Sequence, residues 1–140
     1  MRSMARLLHA FTTSLLVVCV VVLVFLAGLG VFDDPATFLT HAGFGYLIGF
    51  LTLIVLITAA LARAGRRQVG LAALTVGLMA LQSVFVGFRA DMPTVAALHP
   101  VNGFLIGLIA VVMARAAWIA VRTPAAEAAA EVGQAGAVNA

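Results

Sequence analysis

The chain has 140 residues, of which 64% are apolar and only 9% charged, with a mean hydropathy of +1.20. A soluble domain carries about a quarter charged residues because its outer faces meet water, so this composition excludes a water-soluble globule and makes a bilayer the solvent. The net charge of +3 rests on eight basic residues, all arginine, set beside apolar runs rather than along a hydrogen-bonding stripe, which excludes nucleic acid as a partner.

A membrane-spanning helix needs roughly 20 predominantly apolar residues, and four segments meet that length, at about 10–32, 38–62, 68–88 and 95–121. The first follows Arg2 and Arg6. Its run from Phe11 to Phe32 is longer than the apolar region of a signal peptide, and no small-x-small cleavage site precedes Asp33, so it reads as a retained helix. Cys19, the single cysteine, lies inside this run as a small hydrophobe, and one cysteine excludes a disulfide framework within the chain. Asp33-Asp34-Pro35 ends the first span, Arg63-Ala64-Gly65-Arg66-Arg67 the second, and Arg89-Ala90-Asp91-Met92-Pro93 the third. Trp118 falls near the end of the fourth, where an interfacial aromatic is expected. The expected organisation is one four-span domain over 1–122, followed by an Ala-rich cytoplasmic tail over 123–140 to which no chemistry is assigned.

Arginine placement sets the orientation. Arg2, Arg6, Arg63, Arg66, Arg67, Arg115 and Arg122 all fall on one side of the four spans, and Arg89 falls on the other with Asp33, Asp34 and Asp91. Because positive residues stay inside, both termini are expected in the cytoplasm.

An internal repeat appears when 33–49 (DDPATFLTHAGFGYLIG) is laid over 91–107 (DMPTVAALHPVNGFLIG). Asp33 meets Asp91, Pro35 meets Pro93 and His41 meets His99, while Gly45 and Gly49 meet Gly103 and Gly107. Leu, Ile and Gly match easily in membrane sequence, but Asp, Pro and His in register do not, with three histidines and four prolines in the whole chain. The expected fold is therefore all-α: an integral membrane four-helix bundle of two tandem hairpins, related as parallel repeats by a pseudo-twofold axis along the membrane normal. His41 and His99 then lie at one depth near the outer face and face each other across that axis.

Each copy reads H-x-x-x-G-x-x-x-G, and spacings of four place the three residues along one helix face. An imidazole above two side-chain-free positions is what a flat macrocycle between helices requires, so His41 and His99 are the candidate axial ligands of a haem iron. Gly45, Gly49, Gly103 and Gly107 are the candidate walls. The same small-xxx-small faces also serve plain helix packing in lipid. Gln82, a strongly polar side chain deep in the third span, is a candidate donor to a cofactor or an interhelical hydrogen bond; Arg89 would pair with a haem propionate, with Asp91 or with lipid phosphate. Phe44, Phe85, Phe88 and Phe104 are candidate pocket walls or lipid-facing residues. His9 lacks a repeat counterpart and reads as interfacial, and Pro100, directly after His99, either kinks the fourth helix or marks its start. No nucleophile motif, phosphate-binding glycine loop or HExxH is present, so no catalytic residue is assigned and the chain is not expected to be an enzyme by itself.

The strings LAGLGVF, HAGFGYLIG and LHPVNG, with Gln82 late in the third span, resemble an uncharacterised family of small bacterial four-span membrane proteins over nearly all of residues 10–120. More distantly, the layout is similar to one four-helix half of haem A synthase, where histidines at the outer ends of the second and fourth helices ligate or approach haem. His41 and His99 fit those two places. This chain has one such half and no acidic residue within its first span, so the resemblance implies haem binding rather than haem A synthesis. It also implies the bacterial cytoplasmic (inner) membrane.

The functional expectation is one b-type haem held by His41 and His99, for electron transfer or as a haem-bearing subunit of a redox complex. A quinone, a larger redox assembly and a homo-oligomer stand as open partners beside the bilayer itself. The alternatives are a cofactor-free accessory subunit docking through small-residue faces and a small transporter or metal-handling protein; two histidines alone underfill a zinc site.

Overall fold

The computed structural model describes residues 2–138, with side chains described over 3–123. Five helices follow one another: α1 Arg2–Phe32, α2 Thr37–Leu61, α3 Arg66–Gly87, the single turn α4 Pro93–Ala96, and α5 Leu98–Val138. Four of them carry stretches long and apolar enough to cross a membrane, the last counted from Pro93 to Thr123.

The ends of the helices follow from local chemistry. At the end of α1 the N–H groups of Asp33 and Asp34 both return to the Leu29 carbonyl, at 2.9 and 3.0 Å. Pro35 has no N–H to carry the ladder further, and the Asp34 carboxylate accepts from the Ala36 N–H at 2.9 Å, closing the turn into α2. α2 ends in a Schellman arrangement: the Ala64 N–H donates to Ala59 O and the Arg63 N–H to Ala60 O, both at 3.0 Å. That motif places Arg63 in the left-handed region at φ +50°, with Gly65 at φ +86° behind it.

The fourth span expected over 95–121 is built in two pieces. Pro93 opens the turn α4, Ala97 breaks it, and α5 starts at Leu98. Pro100 therefore lies in the first turn of α5, where its missing N–H would have had no helical partner. It marks the helix start and does not bend a continuing helix.

α1 packs against α2 and α5, and α3 packs against the same two helices, so α2 and α5 stand on one diagonal of the bundle and α1 and α3 on the other. The 58-residue repeat reappears in what the diagonal pair buries. Ile48 and Ile106, Thr52 and Ala110, Val55 and Met113, and Ala59 and Ala117 are each one offset apart, and all eight are buried. With Leu16 and Ala72 they form most of the core. Outside it the bundle is apolar as well: Phe25, Phe32, Leu39, Phe50 and Phe104 are all exposed. In water such a surface would aggregate; in lipid it is the solvated face.

Buried hydroxyls are satisfied within their own helices. Thr13 donates to His9 O, Thr52 to Gly49 O and Thr75 to Leu71 O, at 2.7–2.8 Å, as backbone-directed bonds of this kind let Thr sit in an apolar medium.

Candidate functional site

His41 lies in the second turn of α2 and His99 in the first turn of α5, at the end of the bundle that carries Asp33, Asp34, Arg89 and Asp91. Their rings meet across the diagonal, with centroids 6.1 Å apart and planes at 60°. Both residues are half-buried.

Each ring is held from behind in the same way. His41 Nδ1 lies 3.0 Å from the Leu23 carbonyl of α1, and His99 Nδ1 lies 3.3 Å from the Gln82 carbonyl of α3. A carbonyl oxygen only accepts, so each Nδ1 carries the proton and donates. The lone pair is then on Nε2 in both rings. A backbone carbonyl fixing Nδ1–H is the usual outer partner of a metal-ligating histidine, because it sets both the tautomer and the ring direction. The two carbonyls fall at nearly equivalent repeat positions, since Leu23 plus the 58-residue offset is Leu81, one residue from Gln82. Phe38 stands edge-on to His41, with centroids 6.3 Å apart, and its ring fills the place a Cβ on Gly30 would need, at 2.8 Å. Gly30 thus gives Phe38, and through it His41, a seat.

The glycines of the duplicated strip differ in surroundings. A Cβ at Gly49 would meet nothing within 4 Å, and one at Gly45 would just touch Leu23 Cδ2 at 4.0 Å. On α5 the space is taken: a Cβ at Gly103 would stand 3.1 Å from Gln82 Nε2, and one at Gly107 would stand 3.3 Å from Val20 Cγ1. Between the strips the centre of the bundle is filled by Ile48 and Ile106, each 1% exposed.

Gln82 is bound into an interhelical amide cluster. Asn102 donates through Nδ2 to Leu78 O at 2.8 Å and to Gln82 Oε1 at 2.9 Å. With the Gln82 amide turned over, its nitrogen donates to His99 O at 3.0 Å and its oxygen accepts from the Gly103 N–H at 3.3 Å. In either orientation Gln82 ties α3 to the turn that carries His99. Arg89 is exposed and points its guanidinium back to Val86 O at 3.4 Å. Phe104 is exposed, while Phe44, Phe85 and Phe88 are half-buried. Among the described residues no three His, Cys, Asp or Glu side chains come together, so Asp91 does not join the histidine pair.

Two residues go beyond their sequence reading. His9, at the inner end of the first span, is buried in the bundle: it is 2% exposed, with Nδ1 3.2 Å from Thr58 Oγ1 of α2. α1 begins at Arg2, two turns before the apolar run, so His9 lies within the helix and packs against α2. Asn102, which sequence reasoning passed over, is buried at the hub of the amide cluster. Its signal was available, as a primary amide one turn after His99 inside an apolar segment. Trp118 is half-buried and donates from Nε1 to Ser14 Oγ at 2.9 Å, with Phe11 edge-on at 5.5 Å.

No curated protein and no solved structure matches the chain. Residues 24–89, from the last turns of α1 through α3 to Arg89, match the model of a family of unknown function, DUF6220. The matched stretch contains His41, Gly45, Gly49 and Gln82 and stops short of His99. Just under half of this chain is therefore similar to an uncharacterised family.

Proposed function

We propose that this four-helix membrane protein binds one b-type haem between His41 and His99. The observation that supports it most is the facing histidine pair, with both Nδ1 atoms tied to backbone carbonyls and both Nε2 lone pairs free to ligate. With metal–nitrogen bonds of about 2 Å on each side and a ring radius of about 1 Å, two imidazoles on one ion have centroids roughly 6 Å apart. The pair stands at 6.1 Å. Neutral imidazoles suit iron, and the open faces at Gly45 and Gly49 suit a flat ring against α2. When bound, the haem would supply one-electron chemistry; the chain holds the two histidines and sets their tautomers.

On this reading the protein carries electrons, alone or as a subunit of a larger membrane redox complex, with a quinone as one candidate partner. Seven of eight arginines at one end favour a cytoplasmic-membrane protein with both termini inside. The similarity of layout to one half of haem A synthase is in keeping with haem binding, whereas the absence of an acidic side chain on α1 argues against haem A synthesis.

The test is a haem count. Protein purified in detergent from haem-replete cells should yield one haem b per chain by pyridine haemochrome assay. A preparation that stays colourless after hemin is added would overturn the proposal.

One observation favours a second reading, a cofactor-free accessory subunit. Gly70, Ala73, Gly77 and Ala80 form an exposed small-residue stripe on α3, of the kind on which membrane helices dock closely. There the α5 glycines would serve only to admit Gln82 and Val20. Bulky substitutions at Gly70 and Gly77 that dissociate an assembly, with no haem bound to wild type, would establish it.

A further inference from the structure

A cleft opens at the arginine-rich end, on the order of 20 Å along α1 from the histidine pair. It is an open cleft of about 580 Å³ lined by Arg6 and His9 of α1, Arg63 after α2, Gln68 of α3, and Ala116 and Ala117 of α5. Every spanning helix or its adjoining turn contributes to it.

Among the described residues two buried polar atoms here have no hydrogen-bond partner: His9 Nε2 and Gln68 Oε1. Their residues are 2% and 9% exposed. His9 Nδ1 lies 3.2 Å from Thr58 Oγ1, which is itself 3.0 Å from both Val55 O and Thr12 Oγ1. When Nδ1 carries the His9 proton and donates to that hydroxyl, Nε2 is an acceptor. Gln68 donates from Nε2 to Met113 O at 3.4 Å, leaving Oε1 as a second acceptor. Buried polar atoms are nearly always paired, and two acceptors lacking donors in one cleft point to a donor from outside the chain.

Arg63 adds the opposite requirement. The Schellman turn after α2 favours glycine at its left-handed position, yet this chain places an arginine there at φ +50° and a glycine two residues later. Arg63 lines the cleft from this strained position, as Arg6 does from α1, and guanidinium groups recognise phosphate in paired hydrogen bonds.

We propose that this cleft binds a phosphorylated glycerol with free hydroxyls. Its phosphate oxygens accept from Arg6 and Arg63, and its hydroxyls donate to His9 Nε2 and Gln68 Oε1. The alanines leave room for the carbon chain. Glycerol 3-phosphate in solution and the headgroup of phosphatidylglycerol both present this chemistry.

The test uses the full chain in a neutral detergent, with native mass spectrometry and thermal unfolding as readouts. The probes are glycerol 3-phosphate, phosphatidylglycerol and phosphatidate, which has the charge without the diol. Wild type should bind one phosphatidylglycerol more tightly than phosphatidate. Stabilisation by glycerol 3-phosphate as well would identify a soluble ligand, and its absence a lipid headgroup. Arg63→Gly suits the left-handed position, so it should fold as well as wild type while weakening binding roughly tenfold or more. Unchanged binding by Arg63→Gly, phosphatidate bound as tightly as phosphatidylglycerol, or no binding of either diol probe would overturn the proposal.

Discussion

The histidines of this chain are distinguished by what holds them, and each is held by a group on another helix. His41 and His99 donate to carbonyls of α1 and α3, and His9 is hydrogen-bonded to a hydroxyl of α2. Asn102 and Gln82 extend the same logic, because their amides tie α5 to α3 beside His99. Asn102→Leu removes both donations, leaving Gln82 only its contacts with His99 O and the Gly103 N–H. We expect it to lower stability by about 1 kcal/mol in a detergent unfolding titration, and to loosen His99 more than His41. Gly30→Val acts on the other ring: its side chain would occupy the position of Phe38, 2.8 Å from the Gly30 Cβ site. Chemical accessibility of His41 should then rise while that of His99 stays as in wild type. Equal responses of the two histidines in either variant would show that they are not held separately.

At the level of elements, the repeat was legible because it places Asp, Pro and His in register, and its offset also governs what α2 and α5 bury. Ile48 and Ile106 occupy equivalent places at the bundle centre and are equally buried. Ile48→Ala and Ile106→Ala should therefore cost similar amounts, about 2–4 kcal/mol each, measured by unfolding in mixed micelles. A large inequality would show that the repeat in sequence does not extend to energetics. Other features of the elements were not legible. The start of α1 at Arg2 is hidden, since its first two turns carry Arg2, Ser3 and Arg6 among apolar residues and lack a capping signal. The break at Ala97 is hidden for a different reason: Pro93 and Pro100 each permit a helix start, and only the fold shows that both are used. The unequal glycine strips depend on Gln82 and Val20, side chains of other helices, which spacing along one helix does not encode.

For the whole molecule, the sequence foretold an all-α membrane bundle and the diagonal meeting of His41 and His99, because solvent, span length and repeat symmetry together leave few arrangements open. The cleft at the opposite end was not foreseen, as it depends on a buried histidine, a left-handed arginine and a glutamine from three separate segments. Orientation is tested directly by labelling single cysteines in a Cys19→Ser background. Positions in the 63–66 loop should react on the same face as the N-terminus, and positions in the 33–36 and 89–92 loops on the other. Labelling of all loops from one face would reverse the arginine argument. The central claim, that His41 and His99 share one haem iron, is tested most directly by reduced-minus-oxidised visible spectra of wild type, His41→Ala and His99→Ala. Wild type should show a sharp low-spin α-band that is lost in both variants, although both remain inserted in the membrane. A wild-type band that survives either substitution would contradict it.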